Sequence, residues 1–125
     1  MPGDTLYDRV GGQAFFNDLV DSFYAGVVDD ETLRPMYPEN LNESKRHLAL
    51  FLAQYWGGPP AYSDERGHPR LRMRHAPFRI DKRARDAWLL HMRAALLAMR
   101  ERLGDEDASD FDSYVDMAAH QLRNT

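Results

Sequence analysis

Apolar residues return at helical spacing along most of the chain. Between Gly11-Gly12 and Asp29, the residues Phe16, Leu19, Val20, Phe23, Tyr24 and Val27 recur about every 3.6 positions, with Asn17, Asp18, Asp21 and Ser22 on the other side. This predicts a core helix with one phenol in its apolar stripe. A shorter helix over Leu6, Tyr7 and Val10 precedes it, capped by Asp4 or Thr5 and ended by Gly11-Gly12. Asp29 and Asp30 open a short helical turn around Leu33 that Pro35 and Pro38 confine, which puts Met36 and Tyr37 in a tight corner. Asn42 is expected to cap a third helix running to about Trp56, with Ser44, Leu48, Phe51, Leu52 and Tyr55 inward, and Gly57-Gly58-Pro59-Pro60 stops it. The period then lapses, so residues 61–66 are expected to form a surface loop. Asp81 caps a long helix bearing Trp88, Leu89, Met92, Ala95, Leu96, Met99 and Leu103, which ends at Gly104. A last helix from Asp105 to about Leu122 turns Phe111, Tyr114, Val115, Ala118, Ala119 and Leu122 inward. No segment alternates with period two long enough to be a strand, so the fold class is all-α. Helices of such unequal length do not make a regular four-helix bundle and leave room for a cavity where residues 57–80 pack.

That least regular part holds the densest chemistry. In Gly67-His68-Pro69-Arg70-Leu71-Arg72-Met73-Arg74-His75-Ala76-Pro77-Phe78-Arg79-Ile80, two prolines bracket a helix too short to stand alone in water. Pro69 suits a first helical turn, and Pro77 pushes Ala76 out of the α region, so His75 falls in the last turn. Leu71 lies one turn before His75 on the same face, and Phe78 follows just past the break. Neutral imidazole is the commonest metal ligand, and a haem joins a metal wanting an axial nitrogen to a wide apolar ring and two carboxylates. His75, the apolar stripe, and Arg70, Arg72, Arg74 and Arg79 complement all three, since guanidinium groups hold carboxylates bidentately. The plainer alternative is a His75 that caps a helix end amid a solvated arginine face.

Composition narrows the classes. A chain of 125 residues, 43% hydrophobic and 29% charged, fits one compact domain spanning residues 1–125. Its formal net charge of −4 gives no global case for nucleic acid or an anionic membrane. Locally the balance reverses, because seven arginines and one lysine from Arg66 to Arg85 face only Asp81. Such a patch suits carboxylates, phosphates or a partner protein. The absence of cysteine removes disulfides, thiolate catalysis, iron–sulfur clusters and cysteine zinc sites, and fits a reducing cytoplasm. No basic segment followed by an apolar core opens the chain, so no signal peptide is expected, and the apolar-rich run from Leu48 to Trp56 is far too short to span a bilayer.

Several motifs now combine: Gly11-Gly12 after a short helix, Phe23-Tyr24, Met36-Tyr37-Pro38, Phe51-Leu52-Ala53-Gln54-Tyr55-Trp56-Gly57-Gly58-Pro59, and the Gly67–His75 stretch followed by Trp88. Together they resemble the truncated haemoglobins of group II over nearly the whole chain, most specifically from Tyr55 to Trp88. The resemblance implies a two-over-two helical sandwich around haem b, a globin whose first and proximal helices are trimmed. It also implies His75 as the proximal iron ligand and Tyr24 as the phenol that points at bound ligand. Tyr37 takes the corner where ordinary globins keep Phe, and Trp88 is the tryptophan whose indole N–H reaches the distal site. Ser44 stands where myoglobin-type globins carry a distal His, with Leu48 one turn beyond. Leu48 and Phe51 are expected to line the ring, and Leu71, Phe78 and Met117 to touch it. Tyr62, Arg72, Arg74 and Arg79 are the candidates for propionate contacts, with His47 near that edge.

The function implied is a haem protein that binds dioxygen, and also CO and NO, at a five-coordinate iron with high affinity and slow release. Phenol and indole donors in an apolar cavity would hold a ligand carrying partial negative charge. An unidentified reductase is the expected partner, a homodimer is allowed, and neither nucleic acid nor a membrane span is expected. The alternative is a haem redox enzyme acting on peroxide or nitric oxide, although no distal His or carboxylate is placed for efficient acid–base work. Three rivals lie outside haem chemistry. Pro59-Pro60-Ala61-Tyr62 matches the PPxY pattern read by WW domains; His75 with His91 or His120 could hold a metal, at spacings that match no zinc signature; and the arginine patch could meet nucleic acid. Only the haem reading predicts a red protein.

Overall fold

In the computed structural model, which describes residues 4–125, the described residues form seven α-helices and two short 3₁₀ turns, with no strand. The helices are α1 (Leu6–Arg9), α2 (Gln13–Val28), α3 (Asn42–Tyr55), α4 (Ala61–Arg66), α5 (Leu71–His75), α6 (Lys82–Ala98) and α7 (Asp105–Leu122). Thr5 caps α1 by accepting the Asp8 N–H. Gly12 then takes φ +87°, a turn that glycine alone makes without cost, and α2 begins. The Tyr7 N–H donates to the Trp56 carbonyl at 3.0 Å, so the first helix is tied to the far end of α3. Gly57 allows that approach: a Cβ there would stand 2.4 Å from the Thr5 Cβ.

α2 packs on α3 and on α6, and α6 packs on α7, giving the two layers of a two-over-two sandwich. The apolar stripe of α2 is its core, and Phe15, which the stripe omits, is also fully buried with the Arg102 guanidinium 5.2 Å above its ring. Each such ring contributes ~1.5–3 kcal/mol by leaving water. The turn after α2 is a 3₁₀ turn at Arg34–Met36, anchored by Asp30, whose carboxylate accepts the Thr32 and Leu33 N–H groups.

Five local expectations are corrected. Asn42 is the first residue of α3 and not its cap; the Asn40 side chain accepts the Asn42 N–H instead. Tyr55 is 49% exposed, though its ring stacks on Tyr114 at 4.0 Å. Residues 61–66 form helix α4, because one buried ring, Tyr62, and a reciprocal pair between Gln54 and Ser63 hold a segment too short to show a period. Pro69 lies before α5, which starts after Arg70 in the left-handed region at φ 45°, and Ala76 stays in the α region ahead of Pro77. The bias before proline is only a preference, and here contacts with α7 override it. Last, α6 ends at Ala98 and a 3₁₀ turn at Arg100–Arg102 completes the path to Leu103. Asp81 does cap α6, accepting the Ala84 N–H at 2.9 Å.

Candidate functional site

A cavity of about 380 Å³ opens between the two layers, walled by α2, α3, α4, α5, α6, α7 and the corner after α2. It brings together Tyr24, Tyr37, Ser44, Leu48, Phe51, Tyr62, Leu71, Arg74, His75, Phe78 and Trp88. Arg72, Arg79 and Met117 are not in its wall. Met117 is 45% exposed, and Tyr114, Ala118 and Leu122 form the α7 side in its place, one helical face round. Met36, Pro38, Leu52 and Arg66 also line it, though from the sequence they had no place among the site residues. Their signal is three-dimensional, except for Arg66, which belongs to the arginine-rich stretch.

His75 ends α5, and its Nδ1 lies 2.7 Å from the Leu71 carbonyl oxygen one turn earlier. A carbonyl only accepts, so Nδ1 carries the hydrogen and Nε2 keeps its lone pair. Nε2 has no hydrogen-bond partner among the described residues, and the side chain lines the cavity. This is the arrangement of a metal-binding imidazole, with its other nitrogen committed to a backbone acceptor that fixes tautomer and ring orientation. The segment behind it is pinned from the C-terminal end. Asn124 accepts the Ile80 N–H through its side-chain oxygen at 2.9 Å and donates its side-chain N–H to the Phe78 carbonyl at 2.8 Å. Its backbone N–H donates to the Ile80 carbonyl at 2.9 Å. No periodic pattern marks Asn124, because it acts on residues more than forty positions away.

The Tyr24, Tyr37 and Ser44 hydroxyls belong to the same cavity wall, and the two phenol rings meet edge to face at 5.4 Å. Burial pushes the Tyr24 phenol far above its ordinary value and Tyr37 up to about 12. Both therefore stay protonated near neutral pH. Trp88 packs its ring edge on Phe23 at 5.8 Å, and its indole N–H has no partner among the described residues. The rim at α4 and α5 is cationic. Arg74 donates to the Pro69 and Arg66 carbonyls at 2.7 and 2.8 Å, Arg66 meets His47 Nδ1 at 3.1 Å, and both guanidinium groups sit 6.0 Å from the Tyr62 ring centre. Burial, then Arg66, hold the His47 pKa below its ordinary value, which favours the neutral ring.

The rival sites do not assemble. Tyr62 is 4% exposed and Pro60 leads into α4, so the PPxY residues present no extended polyproline strand. Among the described residues no three of His, Asp and Glu group as metal ligands; His91 is bound to Asp30 and His120 to the Asp116 carbonyl. No helix there is long and apolar enough to cross a membrane. A haem, by contrast, matches the donor set: one imidazole nitrogen with a free lone pair, walls of Leu48, Phe51, Leu71 and Phe78, and Arg66 and Arg74 at one edge to meet carboxylates. The cavity falls in the ~300–1,000 Å³ range of small-molecule and cofactor sites.

Comparison with known proteins points the same way. The family model for bacterial-like globins matches residues 5–123. The chain is 46% identical over 90 residues to the group 2 truncated haemoglobin YjbI of Bacillus subtilis (strain 168), a match covering 72% of this chain and 67% of that protein. Its fold superposes on the crystal structure of haemoglobin from Chloroflexus aurantiacus with a TM-score of 0.91 at 49% identity, covering 97% of this chain and 98% of that one. The group II truncated haemoglobin of Bacillus anthracis gives 0.89 at 35% identity, with 98% of each chain covered. The chain belongs to the bacterial-like globin family and is a group II truncated haemoglobin, a globin built to hold haem.

Proposed function

We propose that this globin binds dioxygen, and also CO and NO, with high affinity and slow release, and that its cofactor is haem b held by His75. When bound, the haem supplies the iron at which a diatomic gas is taken up. His75 Nε2 would hold that iron, and Arg66 and Arg74 would meet the propionates. The donors the chain can offer a ligand are three hydroxyls and an indole. Ser44, Tyr24 and Tyr37 bring the hydroxyls to the cavity wall, and the phenols are stronger donors than the serine. The Trp88 indole N–H joins them on the same wall. Two phenols and an indole in one cavity are the observation that carries the reading.

Each donor is worth ~1–1.5 kcal/mol toward a ligand with partial negative charge, or roughly a tenfold change in its escape rate. Burial keeps both phenols protonated near neutral pH, so each acts as a donor. The test is stopped-flow displacement of oxygen from the haem-loaded protein. Trp88→Phe and Tyr37→Phe are each expected to release oxygen about ten times faster. A rate unchanged in both variants would remove the donors from the ligand site.

A further inference from the structure

The positive groups of this globin are unevenly neutralised. Residues 66–85 carry eight basic groups against one acid, whereas the remaining 105 residues carry eight basic and nineteen acidic groups. Arg9, Lys45, Arg46, Arg93, Arg100 and Arg102, all outside that stretch, are ion-paired to carboxylates. Within it, Arg70, Arg72, Arg79 and Arg83 are exposed and make no ion pair among the described residues. The one acid there, Asp81, is engaged in capping α6. Arg72 and Arg79 flank a cleft of about 660 Å³ between α5 and the end of α7, where Met73 and Phe78 are 61% and 44% exposed. Phe78 and Leu122 are shared, lining this cleft and the haem cavity alike.

We propose that this cleft docks an acidic protein, a one-electron carrier that presents carboxylates around a small apolar contact. The proposal rests on the haem-globin reading. An acidic surface is repelled by the rest of the molecule and drawn to this face, which sets orientation and speeds encounter. The exposed Met73 and Phe78 supply the short-lived apolar contact typical of small electron-transfer interfaces. The walls shared with the haem cavity bring a carrier seated here close to the cofactor. One electron then passes from carrier to ferric iron: the carrier is oxidised by one, the iron is reduced by one, and no atom moves.

The test uses the haem-loaded full chain with two acidic probes, a plant-type [2Fe–2S] ferredoxin and a flavodoxin, followed by amide chemical shifts and calorimetry at low salt. Saturable binding of at least one probe is expected, with shifts confined to residues 70–80 and 121–125 and affinity falling as salt rises. Replacing Arg72→Glu and Arg79→Glu together should weaken it at least tenfold, while Arg46→Glu leaves it unchanged. Binding of neither probe, or binding indifferent to the double replacement, overturns the proposal. So does a patch that engages only phosphatidylglycerol vesicles or duplex DNA. A haem-loaded chain that ignores both carriers defeats the docking surface alone, whereas a chain that takes up no hemin defeats the haem reading beneath it.

Discussion

The Leu71 carbonyl decides which nitrogen of His75 is left without a partner, and Asn124 decides where the turn behind it lies. A five-residue helix cannot hold a ligand by its own hydrogen bonds. Asn124 makes up the difference by satisfying the Ile80 N–H and the Phe78 carbonyl at once. Truncation in Asn124→Ala leaves those groups unsatisfied and is expected to destabilise the fold by about 1–3 kcal/mol, read as a fall in urea midpoint at unchanged slope. An unchanged midpoint would show that the turn stands without it. His75 was readable as a candidate from its proline-bracketed helix, whereas Tyr24, Tyr37 and Trp88 became candidates only through the family resemblance, since in an apolar stripe or a tight corner each looks like a core residue. Asn124 was not, because its partners are distant in sequence.

Among the elements, the corner after α2 and the body of α6 place Tyr37 and Trp88 together. His91 Nε2 meets the Asp30 carboxylate at 2.7 Å across that junction, and Gly26 makes room for the ring, since a Cβ there would lie 2.4 Å from His91 Nδ1. The hydrogen bond from His91, then the Leu33 and Thr32 N–H groups, hold the Asp30 carboxyl below its ordinary value of 3.8. A carboxyl lowered in the folded state adds stability that is present above the unfolded value and lost as pH falls through the folded one. Asp30→Asn should therefore be less stable than the parent at pH 6, with the gap closing below about pH 4. Urea melts at pH 6 and pH 3 check it; a gap that widens on acidification would reverse the assignment. The long helices were legible from their period and from Asp81 as a cap. Helix α4 and the start of α5 were not, since Tyr62 gives one buried contact and Arg70 a left-handed turn, and neither produces periodicity.

For the molecule as a whole, two layers of helices leave a cavity lined by His75, whose Nε2 has no partner among the described residues, by the Tyr24 and Tyr37 phenols and by the Trp88 indole. The all-α architecture and most of the cavity wall followed from residue pattern and family likeness. The sorting of the arginines did not: Arg74 faces the cavity while Arg72 and Arg79 face the outer cleft, a split fixed by α5 packing on α7. The proposed function depends on iron porphyrin being held by His75. Optical titration of the purified chain with hemin measures that directly, with His75→Gly alongside. The parent should give an intense near-violet band saturating at one hemin per chain; His75→Gly should give a weak or absent band that added imidazole restores. A colourless parent, or a variant whose band matches the parent's without imidazole, would contradict the account.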